Sequence, residues 1–498
     1  MALFSKQEPL KILFVGSEAA PFFKVGGLGE VMMSLPRAIR AQGHDARIMV
    51  PKYASLDVEK FKLKLESQGI LNLGPEKDPH GILISNVLSH QSEDGMVSYF
   101  LENMEYYEKR ANVYGYADDT VRWAILSKGV LEFIRVSDWK PDIIVAADWQ
   151  SGFIPNLVHQ DYKDDPIISK ITVIFSIHNL RFQGMFDPRF VSEIDFDSGQ
   201  KPIPNFFDDE LLKMSGMRRG ILYADVINTV SPTYAREILT PEFGETLDPL
   251  LGERKARLFG VLNGIDTKSL NPETDQDLVA NYSVKSIEKR LENKEALQKQ
   301  FGISSNKEKF VLGYVGRMDD QKGLDLISQM LPQLMDNIDL QMVAVGEGNP
   351  GYRVMFEDLK KVHPDDIGIH FSFDSRLARL IFSGADAILV PSKFEPCGLV
   401  QMEAMRYGSV PIVRKVGGLA DSVMDFDPET GKGTGFVFEK YDPISLTIAV
   451  VRAHEIYKQK KLWNKVVKSV MEEDFSWDKS AKEYIKLFKM AQRFHKER

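Results

Sequence analysis

The stretch PSKFEPCGLVQMEAMRYGSVPIVRKVGGLAD, Pro391 to Asp421, decides the fold class. It is entered by an apolar run, Ala387-Ile388-Leu389-Val390, with the length and composition of a buried parallel strand. The run stops at Pro391 and opens into a loop holding Glu395, Pro396, Cys397 and Gly398. Helical spacing follows from Leu399 to Tyr407 and stops at Gly408, a residue type that closes helices in the left-handed conformation. A second short strand, Val410 to Val413, runs into Gly417-Gly418 and a new helix. In an open parallel sheet, strand ends that run into helix starts face a ligand crevice. Two such turns lie side by side here, and the first carries a carboxylate.

Lys415-Val416-Gly417-Gly418-Leu419 repeats, letter for letter, Lys24-Val25-Gly26-Gly27-Leu28. A lysine beside paired glycines, twice, each before a helix, suggests two similar lobes facing one anionic ligand. The first copy follows a strand, Leu10 to Val15. Gly26-Gly27-Leu28-Gly29 opens an amphipathic helix with Leu28, Val31, Met32, Leu35 and Ile39 on one side, kinked at Pro36 and ended by Gly43. Arg47 to Val50 is the next strand. Glycines there would let backbone N–H groups approach a phosphate at a helix N-terminus, with Lys24 as a point charge. A tight turn with a solvated lysine is the plain alternative.

Residues 52 to 120 are less regular and rich in charge, which suggests an insertion or a two-stranded excursion. Thr120 to Ile134 has helical spacing. Asp142 to Ala147 reads as a buried strand ending in Asp148-Trp149-Gln150, an acid to accept sugar hydroxyls and an indole to stack, or else an N-cap and a core tryptophan. Ile171 to Ile177 is another strand, ending in His178-Asn179, a pair that suits either substrate hydroxyls or a structural role. No HxH or CxxC pattern marks a metal site, and the pairs Asp195/Asp197 and Asp425/Asp427 read as loop acids. Val226 to Val230 is a strand, and a helix follows Ser231-Pro232 through Glu237. Clear order is then lost until Phe310, although Asn271 to Lys309 is polar and charged with long helical spacing, and a domain boundary falls near Leu262. Phe310 to Val315 opens a second lobe and ends in Gly316-Arg317 and Gln321-Lys322-Gly323, two cations on one strand-to-helix turn that suit a diphosphate. Met342 to Val345 is its next strand, and Phe373-Asp374 precede a helix ending near Gly384. From Trp477 a basic amphipathic helix places Tyr484, Leu487, Phe488 and Met490 on one side.

The chain has 498 residues, room for two or three domains, with a net charge of −8 and no basic stripe, which argues against nucleic acid. One cysteine excludes an internal disulfide framework and fits a reducing compartment. The N-terminus lacks a signal-peptide pattern, and no apolar run reaches the roughly 18 residues of a membrane span, so a cytoplasmic enzyme is expected. Alternating strands and helices give an α/β fold with parallel sheets, in two lobes facing a deep interdomain cleft. Lys24, Asp148 and His178 would come from the first lobe, and Arg317, Lys322 and Glu395 from the second. Together they suggest group transfer from a nucleoside diphosphate donor.

These residues lie in a longer series of strings. KVGGLGEV at Lys24, DWQSG at Asp148, SIHNLRFQG at Ser176 and TVSPTYAREI at Thr229 are followed by NGID at Asn263 and GRMDDQKGLD at Gly316. GADAILVPSKFEPCGLVQMEAMRYG at Gly384, VGGLADSV at Val416 and FSWDKSAKEY at Phe475 complete it. In this order, through nearly the whole chain, it resembles the bacterial glycogen synthase and plant starch synthase family, retaining glucosyltransferases with two Rossmann-like lobes (GT-B type). The resemblance implies an acceptor-side domain over residues 1–262 and a nucleotide-sugar domain over 263–476. A helix over 477–498 would return to the first.

It further implies that Lys24, Gly26 and Gly27 contact donor phosphates and sugar. Asp148 and Trp149 would line the glucose and acceptor side, and His178, beside Asn179, would hold the transferred glucose. Arg317 and Lys322 would neutralise the leaving diphosphate. Glu395 would orient the glucose beside the backbone of Cys397, Gly398 and Leu399, with Glu403 as the second of a glutamate pair. Phe373 would pack on the donor base, and Gly417-Gly418 would lie at the donor. The resemblance points to ADP-glucose as donor, with UDP-glucose the alternative, and to an α-1,4-glucan acceptor, without cofactor or metal. The chain departs from the usual pattern at Glu30 (usually Asp), Asp119 (Asn), Gln150 (His) and Leu270 (Trp), positions that bear on acceptor handling and donor preference. The rival readings are a related transferase with another acceptor, a glucan-binding protein without catalysis, and a phosphorylase with lysine-bound pyridoxal phosphate.

Overall fold

The computed structural model describes residues 8–71, 85–184, 197–206 and 208–498; Asp195 lies outside them. The chain forms two compact units. One comprises Met1–Val230, Ala235–Val261 and Trp477–Arg498; the other comprises Ser231–Tyr234 and Leu262–Ser476. The short segment at 231–234 joins the second unit through Thr233, whose N–H and Oγ1 donate to the Asp421 carboxylate at 2.8 and 2.6 Å.

The first unit is built on nine strands: β1 (Lys11–Val15), β2 (Asp45–Pro51), β3 (Lys64–Leu71), β4 (Ser85–Gln91), β5 (Val97–Glu102), β6 (Ile143–Ala147), β7 (Thr172–Ile177), β8 (Val226–Thr229) and β9 (Leu258–Gly260). Their order is β3-β4-β5-β2-β1-β6-β7-β8-β9. β1 lies between β2 and β6, with Ile12 opposite Ala46 on one side and Ile143 on the other, all parallel. These central strands are near-continuous apolar runs because both faces are covered; every residue of β6 and β7 is buried. From β1 the chain moves outward through β2, then returns at β6 to build the opposite half. The order therefore reverses between β1 and β6.

The region 52 to 120 is more regular than its charge suggests. β4 pairs antiparallel with both β3 and β5, and β5 pairs parallel with β2, so three strands extend the sheet rather than two standing apart from it. β4 buries alternate residues only, the pattern of a strand with one face in water. The helix Gly27–Ala41 runs through Pro36 without interruption. The helix Trp477–Lys496 packs against Gly27–Ala41 and β7. It buries Tyr484, Leu487 and Phe488 as expected, but Ala491 completes that face, and Met490 is half-exposed.

The second unit has six strands: β10 (Phe310–Val315), β11 (Leu340–Val345), β12 (Ile367–His370), β13 (Ala387–Val390), β14 (Val410–Arg414) and β15 (Phe436–Phe438). All pair in parallel, in the order β12-β11-β10-β13-β14-β15. Here the order reverses between β10 and β13. A helix at Asp248–Glu253 precedes β9 in a segment without clear order in the sequence, and the helical spacing over 271–309 holds the helix Arg290–Phe301. Among the described residues no helix is long and apolar enough to cross a membrane.

Candidate active site

Ligands of open parallel sheets bind at the carboxyl ends of the strands flanking the reversal of strand order. In the second unit those strands are β10 and β13. The turn after β10 contains Arg317 and Lys322; the turn after β13 contains Glu395. A Cβ on Gly323, whose φ is +75°, would lie 2.2 Å from the Pro391 carbonyl oxygen, so the two turns touch through backbone. Lys393 N–H donates to the Gln321 carbonyl at 2.8 Å. This contact brings Lys322 Nζ to 2.6 Å from Glu395 Oε2, which also accepts from Ser392 Oγ at 2.9 Å. Arg317 is more open: its guanidinium pairs with Asp319 at 2.7 Å and donates to Gln321 Oε1 at 2.8 Å. The structure thus joins Lys322 to Glu395, a pairing not foreseen from sequence.

Cys397 is buried, and burial pushes its thiol up to about 12, so the thiol stays protonated in ordinary conditions. Glu403 lies half-buried in the first turn of the helix Val400–Arg406. Phe373 is 65 % exposed, an aromatic face free for stacking. Gly417 and Gly418 pack against the backbone of the Glu395 loop. Gly418 donates its N–H to Glu395 O at 3.1 Å, and a Cβ on Gly417 or Gly418 would stand 1.9 Å from the carbonyl oxygen of Glu395 or Cys397. These glycines hold the Glu395 loop in place.

The letter-for-letter repeat is therefore not a structural one. Gly26 has extended backbone (φ −137°), and a Cβ there would meet nothing closer than 3.7 Å. Its turn follows β1, beside the reversal, whereas the second copy follows β14, one strand away from it. Gly418→Ala is expected to destabilise by about 1–3 kcal/mol, the usual range for overpacking, while Gly26→Ala leaves the melting temperature nearly unchanged. Thermal melts of both variants check this, and equal shifts would contradict it.

In the first unit the strands beside the reversal are β1 and β6, and their turns carry Glu18, Lys24 and Asp148. Glu18 was not singled out from sequence; only its place in the turn that follows the strand could have drawn attention to it. Its Oε2 accepts the N–H groups of Val25 at 2.5 Å and Gly26 at 3.0 Å, and its Oε1 accepts from Tyr114 Oη at 3.0 Å. The Gly26 N–H expected at a phosphate is thus held by a carboxylate. Gly27 opens the helix behind it, and Lys24 Nζ pairs with Glu30 at 3.0 Å, both exposed.

Asp148 and His178 come together. Asp148 Oδ1 accepts the backbone N–H of His178 at 2.7 Å and of Asn179 at 3.4 Å, fastening the turn after β7 to the turn after β6. Asp148 sits at φ +54°, a left-handed conformation that a non-glycine residue holds only where its surroundings enforce it. Burial raises its carboxyl to about 7; the two N–H donors pull the other way, and nearby Glu18 adds to the rise. Burial lowers His178 to about 4, so the imidazole is neutral at neutral pH. Trp149 does not stack on solvent-facing ligands as drawn: its indole is buried, edge-on to Trp123 at 6.2 Å, and the core alternative holds. The departures are accommodated locally. Asp119 pairs with buried Arg122 at 2.6 Å, and the Leu270 carbonyl accepts from Arg406 Nε; Gln150 is the exception, buried with its Oε1 unpartnered among the described residues.

The family comparisons agree with this layout. Residues 11–253 match the starch synthase catalytic domain, and residues 294–469 match glycosyl transferases group 1. A glycogen synthase of Clostridium botulinum is 41 % identical over 96 % of this chain and 99 % of its own. One from Thermotoga petrophila is 39 % identical over 97 % and 99 %. Among solved structures, the catalytic domain of starch synthase IV from Arabidopsis thaliana, bound to ADP and acarbose, superposes with a TM-score of 0.83 at 31 % identity, covering 98 % of this chain and all of that one. A sucrose-phosphate synthase from Thermosynechococcus elongatus shares the fold, with a TM-score of 0.59 at 18 % identity over 97 % and 98 % of the two chains. Two parallel-sheet units, each with charged side chains at its strand reversal, and full-length identity near two-fifths place this chain in the glycogen and starch synthase family of GT-B glycosyltransferases.

Proposed function

We propose that this chain transfers glucose from ADP-glucose to the non-reducing end of an α-1,4-glucan with retention of anomeric configuration. The observation that supports it most is the Lys322–Glu395 pair at the strand reversal of the second unit, in a chain whose structural neighbour was solved with ADP and acarbose.

The chemistry follows from charge. Breaking the bond between glucose C1 and the diphosphate oxygen leaves negative charge on that oxygen. Arg317 and Lys322 meet it as fixed donors that need little reorganisation during the step. Both cations rest on acids, Asp319 and Glu395. A bound diphosphate offers them a competing anion, which leaves Glu395 able to accept glucose hydroxyls and to ease positive charge at C1. The acceptor's 4-hydroxyl oxygen attacks C1 on the face the diphosphate leaves. Its proton passes to the departing phosphate oxygen, so charge and atoms balance without a covalent enzyme intermediate.

From the first unit, neutral His178 accepts or donates hydrogen bonds to the glucose hydroxyls, and Asp148 fixes the turn that presents it. Lys24 adds charge at the phosphates; its exposed partner Glu30 holds it weakly, because exposed ion pairs contribute little. Phe373 stacks on the adenine.

The test is nucleoside diphosphate release from ADP-glucose and from UDP-glucose, each with and without glycogen. Glycogen-dependent ADP release with UDP-glucose poor is the expected result. Faster turnover of UDP-glucose would overturn the donor assignment and leave the mechanism standing. No response to glycogen with either donor would overturn the acceptor assignment.

A further inference from the structure

His178 has two ring nitrogens, and which one carries the proton decides what it can offer a sugar. Its surroundings in the first unit settle this by a count of protons. Asn228, on β8, is fully buried. Its Nδ2 donates to the Thr229 carbonyl at 3.0 Å, and a carbonyl can only accept, so the amide orientation is fixed and Oδ1 faces the other way. Oδ1 accepts from Ser176 Oγ at 2.7 Å and from Tyr484 Oη at 3.3 Å. Ser176 is buried on β7, and Tyr484 is buried on the helix Trp477–Lys496. A serine hydroxyl has one proton, and here it is committed to Asn228. Toward His178 Nε2, 3.2 Å away, Ser176 Oγ therefore presents only lone pairs.

We propose that Ser176, Asn228 and Tyr484 are positioning residues that hold His178 as its Nε2–H tautomer, leaving Nδ1 as a hydrogen-bond acceptor for a donor-sugar hydroxyl. The opposite tautomer would set two lone pairs against each other across the Ser176–His178 contact. Nδ1 takes no hydrogen bond among the described residues, and the residue follows the carboxyl end of β7, where Asp148 accepts its backbone N–H. A neutral ring suits this arrangement, since an imidazolium has no acceptor. The C-terminal helix takes part through Tyr484, far along the chain from the histidine it steadies: its hydroxyl is the second donor that pins Asn228. The sugar role rests on the glucosyltransferase reading above, whereas the tautomer rests on geometry alone.

The test is nuclear magnetic resonance of the full chain labelled with 15N-histidine, without ligand. The His178 signals are identified by their loss in His178→Asn. The expected spectrum at neutral pH shows a protonated Nε2 and an unprotonated Nδ1. Ser176→Ala should let the Nδ1–H form appear, and Ser176→Thr, which keeps the hydroxyl, should preserve the original form. Tyr484→Phe should weaken the preference. A wild-type His178 protonated on Nδ1, or a Ser176→Ala spectrum unchanged from wild type, would overturn the relay. Should Ser176→Ala not fold, the wild-type spectrum and Ser176→Thr still decide. In turnover assays kcat/KM of Ser176→Ala is expected to fall about fivefold, the rate equivalent of one neutral hydrogen bond, with recovery in Ser176→Thr. Because the spectra need no activity, a failed assay with the expected tautomer would count against the transferase reading and not against the relay.

Discussion

Lys322→Ala is expected to lower kcat by a factor on the order of 10²–10³, the usual loss when one fixed donor to a developing anion is removed. Two effects contribute to the phenotype and can be separated. The first is catalytic: Arg317 alone would face the charge on the departing diphosphate. The second is structural. Glu395 is 7 % exposed, and without Lys322 its carboxylate keeps only Ser392 Oγ among the partners described. Removing one partner of a buried pair costs about 3–5 kcal/mol, and a smaller figure applies here because the Lys322 side chain is 22 % exposed to water. Adding Glu395→Gln to Lys322→Ala removes the orphaned charge, so the melting temperature should recover while turnover stays low. Steady-state kinetics and thermal melts of the single and double variants read the two effects apart. Normal turnover in Lys322→Ala would sink the clamp as drawn.

The parts of this site that were legible in the sequence are those where chemistry and strand pattern coincide. Ala387-Ile388-Leu389-Val390 could be read as a buried strand because both its faces are covered, and Glu395 stands out beyond it. Lys322 and Arg317 follow a strand of the same kind. Their partners were not legible, because a pairing such as Lys322–Glu395 depends on β10 and β13 being neighbours, which no local pattern states. Glu18 was missed for a related reason: its role exists only where the loop folds back to bring the Val25 and Gly26 N–H groups to it. The repeated Lys-Val-Gly-Gly-Leu string misled in the opposite direction, since identical letters serve different backbones. Helical spacing is visible over Asn271 to Lys309, but not how helix Arg290–Phe301 docks, because the face it buries is largely polar. Lys294 is 2 % exposed, yet its ammonium reaches Asp386 at 2.7 Å, Tyr457 Oη at 2.9 Å and the carbonyls of Lys307 and Lys309 at 2.9 and 2.6 Å. An amphipathic pattern cannot reveal docking through a satisfied lysine.

Asp225→Ala is expected to destabilise the first unit by about 3–5 kcal/mol, the cost of breaking a buried ion pair from one side, and to lower Tm on the order of 10 °C. Asp225 is fully buried at the start of β8. Its Oδ2 accepts the Val173 N–H at 2.8 Å and lies 3.0 Å from His495 Nδ1; His159 Nε2 and Arg498 Nη1 stand 3.6 and 3.5 Å from Oδ1. This cluster fastens the C-terminal helix, and with it Tyr484, to the sheet. Burial opposes the charge on Asp225, but the two imidazoles of His159 and His495 beside it and the Val173 N–H outweigh it and hold the carboxyl well below its usual range. The bond to Asp225 raises His495 above its ordinary value, while burial lowers His159. The signs then fix the pH dependence. His495 binds its proton more tightly when folded, so its contribution is complete below about pH 6.5 and is lost as pH rises through the higher folded value. Asp225 contributes above the ordinary carboxylate range and loses this only in strong acid. His159 acts against folding as pH falls below its ordinary value, which makes the wild-type profile shallower. The cost of Asp225→Ala should therefore be greater near about pH 5.5 than near about pH 8.5, where His495 is less protonated and Arg498 remains charged near the carboxylate. Melts of wild type and variant at both values read it directly. A difference in Tm that does not change with pH would show that the imidazolium has no part in holding the helix.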